Sequence, residues 1–349
     1  MLCSKKKITV VKGKIELLLD ENMDFLSYFS FGEIMRETGE DDFVEHKDVI
    51  CISIESVNSD SFDSKHCQGT RFARNYSGEA NTTSFSKKFL HLNFGLKIKK
   101  NSDKNYVFFV TKNYLRFIKY KIENIYPLGI HLFDVLQIET IKLGNIAIYG
   151  SAFLNSKSKE ASLIVAPPGV GKTYTLLNLA KQENVEIISE ETSYVNMVNN
   201  AGSLIPTQNT FLNDRKNKGS AMNLISFLFA RKIKKRLEGT LKQINFATSE
   251  TVLKRIYILE NSKNDLIKRL EHSEENFKRL LTIQRFTSSY FNNQLLRAFS
   301  RFSELNLEQI LQREEAILRN LYTNVELYSV CASRVEKFPE LIRQIDAQT

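Results

Sequence analysis

Between Val165 and Ala180 the chain reads VAPPGVGKTYTLLNLA, which gathers the residue types that a phosphate group needs. Gly169 and Gly171 carry no Cβ, so the backbone there can curl until successive N–H groups converge on one anion. Lys172 would bridge the β- and γ-phosphates of a nucleotide, and the Thr173 hydroxyl would ligate Mg2+. The spacing Ala166-x4-Gly171-Lys172-Thr173 follows the Walker A pattern with alanine in its first position. Pro167 and Pro168 stiffen the approach. Contacts to ATP are expected from Pro168, Gly169, Val170, Gly171, Lys172, Thr173 and Tyr174.

A second set of reactive groups follows in EIISEETSYVN, where Glu190 and Glu191 stand together after a short apolar stretch. Open α/β sheets place ligands at the carboxyl ends of their strands. Two carboxylates there can divide the work. Glu190 would take a proton from an attacking hydroxyl, and Glu191 would help Thr173 hold the metal.

These groups need a scaffold that points them at one place. Leu163-Ile164-Val165 reads as a strand before the loop, and Leu176, Leu177, Leu179 and Ala180 as a helix after it. Asn145–Tyr149, Val185–Ser189, Ser193–Val198, Val252–Leu259 and Val325–Val330 read as further strands, with two or three helices over Ser273–Tyr322 and a last helix over Pro339–Ile345. Strands interleaved with helices after residue 140 indicate an α/β domain over 141–349 with a helical C-terminal part. Residues 1–140 are β-rich: Ile8–Val11, Val49–Ser56, Phe89–Lys97 and Tyr106–Thr111 have strand composition, and a short helix around 127–142 closes this part. Ser56–Ser86 is dense in Ser, Asn, Asp and Gly and is expected to be a long irregular loop.

The composition sets limits on partners. The 349 residues are 42% hydrophobic and 26% charged, an ordinary globular balance. No apolar run approaches the roughly 18 residues that span a bilayer, and the first residues lack signal-peptide character, so a cytoplasmic protein without a membrane span is expected. Cys3, Cys51, Cys67 and Cys331 have no paired spacing, which suits reduced thiols. The net charge of +9 is concentrated between Arg215 and Arg297, with 18 Lys/Arg against 7 Asp/Glu. Within it, ARKIKKRLEG (Ala230–Gly239) belongs to an expected amphipathic helix over Asn223–Leu237. It reads either as a solvated face or as an electropositive flank to the γ-phosphate, and Arg255 is a second candidate for steadying transition-state charge. Aromatic residues are not interleaved with these basic ones, which argues against nucleic acid. A homo-oligomer stays open.

NIAIYGSAF, followed by SLIVAPPGVGKTYTLLNLAKQENVEIISEETSYV, resembles the core of the HPr kinase/phosphorylase-like family, related to phosphoenolpyruvate carboxykinase. The resemblance covers about residues 140–200. It implies a P-loop nucleotide-binding core of that type and an ATP-dependent, serine-type kinase that uses Mg2+. The acceptor it implies is a hydroxyl on a protein, a peptide or a small molecule. Gly169, Gly171, Lys172 and Thr173 match the family's phosphate cradle and metal-binding hydroxyl. Glu190 and Glu191 fall where the family has two aspartates, and Tyr149 where it has the histidine of a His-Gly pair. These departures leave open a degenerate module that holds ATP without transferring phosphate. The wording PPGVGKT leaves open an AAA-type ATPase, in which Glu260 at the end of KRIYILE would be the catalytic acid.

Overall fold

The structure, a computed structural model, describes residues 5–11, 14–20, 36–37, 49–59, 62, 69–89, 91–102, 104–119, 128–190, 192–198, 201–206, 244–287 and 290–346. In chain order the strands begin with β1 (Lys5–Val11), β2 (Ile15–Asp20), β3 (Arg36–Glu37), β4 (Ile50–Val57), β5 (Thr70–Ala73) and β6 (Tyr76–Glu79). They continue with β7 (Thr82–Phe89), β8 (Leu92–Ser102) and β9 (Asn105–Thr111), then helices α1 (Lys112–Lys119) and α2 (Leu128–Lys142). Next come β10 (Ile146–Asn155), β11 (Glu160–Val165), α3 (Lys172–Leu179), β12 (Val185–Ser189), β13 (Thr192–Val198) and β14 (Ala201–Ile205). The chain closes with β15 (Asn245–Phe246), β16 (Thr251–Asn261), β17 (Leu266–Leu270), α4 (Glu274–Thr287), α5 (Gln294–Phe302), α6 (Leu307–Thr323), β18 (Glu326–Ala332) and α7 (Lys337–Asp346). The fold is mixed α/β. Among the described residues no helix is long and apolar enough to cross a membrane.

The chain divides into two compact units, one of residues 1–143 with 288–314 and one of 144–287 with 315–349. Residues 288–314, which the sequence reading groups with 141–349, therefore belong with the first unit.

The first unit is built on a sheet in the order β3-β1-β2-β4-β9-β8-β7-β6-β5. The stretch expected as a loop between Ser56 and Ser86 contains β5, β6 and the start of β7. Hairpin pairing of Glu79 with Thr82 makes the turn, helped by Asn81 in the left-handed region at φ 58°. Its Ser, Thr and Asn content hides the strands, because backbone pairing of β5 to β6, β6 to β7 and β7 to β8 rather than apolar alternation holds them there. β4, β8 and β9 alternate as expected, burying Ile52, Ile54, Leu96, Ile98, Phe108 and Val110.

Helix α2 buries polar residues with its apolar ones: His131, Asp134, Gln137, Glu139 and Thr140 are all under a tenth exposed. Asn293 caps α5 by accepting from the Leu295 and Leu296 N–H groups. Its amide reaches His131 Nδ1 at 2.9 Å and Asp134 Oδ2 at 2.7 Å. Burial pushes the His131 imidazole down from its ordinary 6.5 to about 4. Between those two pH values the unfolded chain binds a proton that the native protein does not, so stability falls as pH falls through that window. The expected loss reaches about 3 kcal/mol by pH 4, at about 1.4 kcal/mol per unit. Urea unfolding between pH 7 and 5 should show this slope in the wild type and a flatter one in His131→Gln.

The second unit is a sheet in the order β15-β12-β10-β13-β14-β16-β18-β17, with β11 inserted between β10 and β16. β11, β16 and β18 run parallel, with Val165 beside Ile258 and Ile258 beside Ser329. Such strands are covered on both faces, and their runs read as nearly unbroken apolar segments. On one face Ile148, Leu163, Val165, Ile256 and Ile258 pack under α4 and α6 through Phe277, Leu280, Leu318 and Leu321. On the other, Phe153, Ile164, Tyr257, Leu259 and Val330 pack under α3 and α7 through Leu176, Leu179, Phe338 and Ile342.

Candidate functional site

β11 leaves the sheet at Ala166. Pro167 and Pro168 have no N–H to give a neighbouring strand, so the ladder ends there. Gly169 at φ 85° and Gly171 at φ 121° then turn the chain into α3. No side chain caps this helix; Gly171 is its N-cap, and its carbonyl accepts from both Thr175 N and Thr175 Oγ1 at 2.9 Å. Uncapped N–H groups at the start of a helix, with its positive end, make a seat for an anion.

Lys172 arches back over this turn. Its ammonium donates to Ala166 O at 2.8 Å and to Pro167 O at 3.4 Å, and it stands 4.1 Å from the centre of the Tyr149 ring. The side chain is only 7% exposed, whereas Pro168 and Gly169 at the tip of the turn face solvent. Val170 packs on the core under α7, Thr173 is half-buried on the first helical turn, and Tyr174 is exposed. A fixed cation thus closes one side of an open turn.

Glu190 lies across β10 from this lysine. β12 and β13 both run antiparallel to β10, pairing Ala152 with Ser189 and Tyr149 with Thr192. They form one line of chain interrupted at Glu190, with an irregularity in register beside it. Serine hydroxyls stitch the interruption: Ser151 donates to Glu190 O, Ser189 and Ser193 share a 2.5 Å bond, and Ser193 donates to Gly150 O. Glu190 itself is buried, at 5% exposure. Tyr149 and Ser151 alternate with Gly150 and so lie on one face of β10, the face that carries Phe153 and α3. Lys172 thus meets the Tyr149 ring, and the Glu190 backbone carbonyl meets Ser151 two residues along the same strand. Glu191 lies outside the described residues, as does the basic segment Ala230–Gly239.

The remaining candidates are placed elsewhere. Arg255 is 3% exposed and bonded to Glu160 at 2.8 Å and Glu326 at 3.2 Å. It stands three residues before Ile258, the partner of Val165, and so about 10 Å back along the strand from the turn. That position removes it as a group that steadies a transferred phosphate. Glu260, next to last in β16, forms a two-point ion pair with Arg279 of α4. It is therefore engaged on the face opposite α3.

Two contributors carry no sequence signal of their own. Ser151 and Gln284 act only through β10, and nothing in their local sequence says so. Among the described residues no group of three or more His, Cys, Asp or Glu could hold a metal, and neither Cys51 nor Cys331 is in a disulfide.

No protein-family model matches the chain, and no curated protein matches it. Among solved structures, the chain is similar to the Hpr(Ser) kinase/phosphatase from Coxiella burnetii over 58% of its own length and 97% of that chain, at 8% identity and a TM-score of 0.26. This is a weak structural similarity to a kinase and carries no argument about activity.

Proposed function

We propose that this chain binds ATP at the turn Pro168–Tyr174 and transfers the γ-phosphoryl group to a hydroxyl of a protein, a peptide or a small molecule. The observation that carries the reading is the buried Lys172 ammonium, held across a two-glycine turn at the uncapped start of α3. Backbone N–H groups of Gly169–Thr173 would cradle the phosphates, and Lys172 would neutralise charge between β and γ.

Mg2+ fits what is present, because this cation takes one or two protein oxygens and completes its shell with phosphate and water. The half-buried Thr173 hydroxyl is the donor on hand, with Glu191 as the second by sequence. Bound there, the ion would supply further neutralisation of phosphate charge. In the transfer, the acceptor oxygen forms a bond to the γ-phosphorus as the bond to the β–γ bridging oxygen breaks. The electron pair leaves on ADP, and the acceptor proton passes to the Glu190 carboxylate.

A second reading, a module that holds ATP without transfer, is favoured by Tyr149. A phenol stands beside Lys172 where an imidazole, the side chain suited to proton transfer near neutral pH, would serve a phosphoryl transfer. The two readings part in one experiment. Purified protein is mixed with Mg2+ and ATP labelled at the γ-phosphate, with and without a panel of serine, threonine and tyrosine peptides and small alcohols. Label moving to a hydroxyl supports the kinase. Saturable ATP binding with no transfer supports the holding module, and an absence of binding at millimolar ATP overturns both.

A further inference from the structure

β10 loses a neighbour at the place where the candidate site begins. β11 accompanies it only over Gly150–Asn155, since beyond Val165 the chain turns out into the glycine turn. From Ile146 to Tyr149 the opposite edge of β10 is paired by β13. Buried backbone groups need hydrogen-bond partners, and losing one costs about 1–3 kcal/mol. On the edge that β11 leaves, Gln284 of α4 bonds two of them: its Nε2 donates to Ala147 O at 3.0 Å, and its Oε1 accepts from Tyr149 N at 3.3 Å. A primary amide offers one donor and one acceptor side by side, as a strand backbone does. The side chain is 1% exposed on a helix whose neighbouring residues Leu280, Leu281 and Ile283 are core.

We infer that Gln284 is a positioning residue for the nucleotide site: it stands in for the strand that departs as the turn, and so sets Tyr149 and, through its ring, Lys172. The inference rests on the ATP reading for its consequence, though not for its geometry. Any turn that starts mid-sheet strips its neighbour of partners. Here the repair falls on the residue whose ring bears the site's cation.

The test compares wild type with Gln284→Leu, close in size but unable to bond, and Gln284→Glu, whose carboxylate can still accept from Tyr149 N but cannot donate to Ala147 O. Three quantities are measured on folded protein: amide hydrogen exchange at Tyr149, the ring-current shift of the Lys172 ε-methylene, and the Kd for a fluorescent ATP analogue. In Gln284→Leu, Tyr149 exchange should rise by at least about tenfold, the Lys172 shift should move toward its random-coil position, and Kd should rise by about fivefold to tenfold. Gln284→Glu should share the Lys172 shift change and the weaker binding. If the Lys172 shift and Kd stay at wild-type values in either folded variant, Gln284 merely holds the sheet and the inference is overturned. Should Gln284→Leu fail to fold, Gln284→Glu alone decides between these outcomes. A wild-type protein that binds no ATP defeats the nucleotide reading instead, and the Lys172 shift still judges the positioning.

Discussion

Lys172→Met should lower phosphoryl transfer by roughly a hundredfold to a thousandfold, the range found when one preorganised charge-stabilising group is removed from a transition state. Methionine keeps an unbranched stem of similar length, so it can still lie along the Tyr149 ring and cover the turn. What it loses is the ammonium that donates to Ala166 O and Pro167 O. Ala166 and the base of the turn are buried, and the carbonyl left behind costs about 1–3 kcal/mol of local stability. The unfolding midpoint should therefore shift modestly while turnover collapses. Single-turnover transfer, with melting followed in parallel, separates these effects. A Lys172→Met protein that transfers label at the wild-type rate would refute the role given to this residue.

Gly171→Ala and Gly169→Ala should differ sharply although they sit two residues apart in one turn. At Gly171 the backbone is at φ 121°, and an added Cβ would overlap Val335 Cγ2, with Phe338 Cδ2 close behind. Valine has few χ1 rotamers with which to move aside. Backbone strain of about 1–3 kcal/mol and overpacking of similar size together give an expected destabilisation of about 4 kcal/mol. At Gly169 the φ is 85°, but an added Cβ meets nothing within 4 Å. Only the conformational term remains, about 1–2 kcal/mol. Chemical denaturation of the two variants measures the difference. Equal midpoints would mean that Val335, just before α7, does not press on the turn as described.

Other features of the turn show how much of the site could be read before any coordinates. Strand, two prolines, two glycines, lysine, threonine and leucine-rich helix stand in the order in which they act, each determined by local chemistry. Proline ends a ladder, glycine permits positive φ, and leucines at helical spacing bury α3. The strands β10, β11, β16 and β18 and the helix α7 were legible for the same reason, since apolar runs of their length can hide only inside a sheet or beneath it. The polar hairpins of β5–β7 were not, because backbone bonds between adjacent strands hold them and their polar side chains give no apolar period. Arg255 was misplaced as well: its charge was visible in the sequence, but the end of the strand at which Glu160 and Glu326 would tie it was not.

By itself, then, the sequence determined the turn at Gly169–Thr173, the elements flanking it and the mixed α/β class, because all of these follow from residues within a few positions of one another. Tertiary structure alone decided that Tyr149 carries the Lys172 ammonium, that Ser151 holds the chain at Glu190, and that Gln284 replaces the strand lost from the edge of β10. Those contacts join residues from 23 to 137 positions apart. They depend on where β11 leaves the sheet, a property of strand pairing that no local pattern of residues encodes.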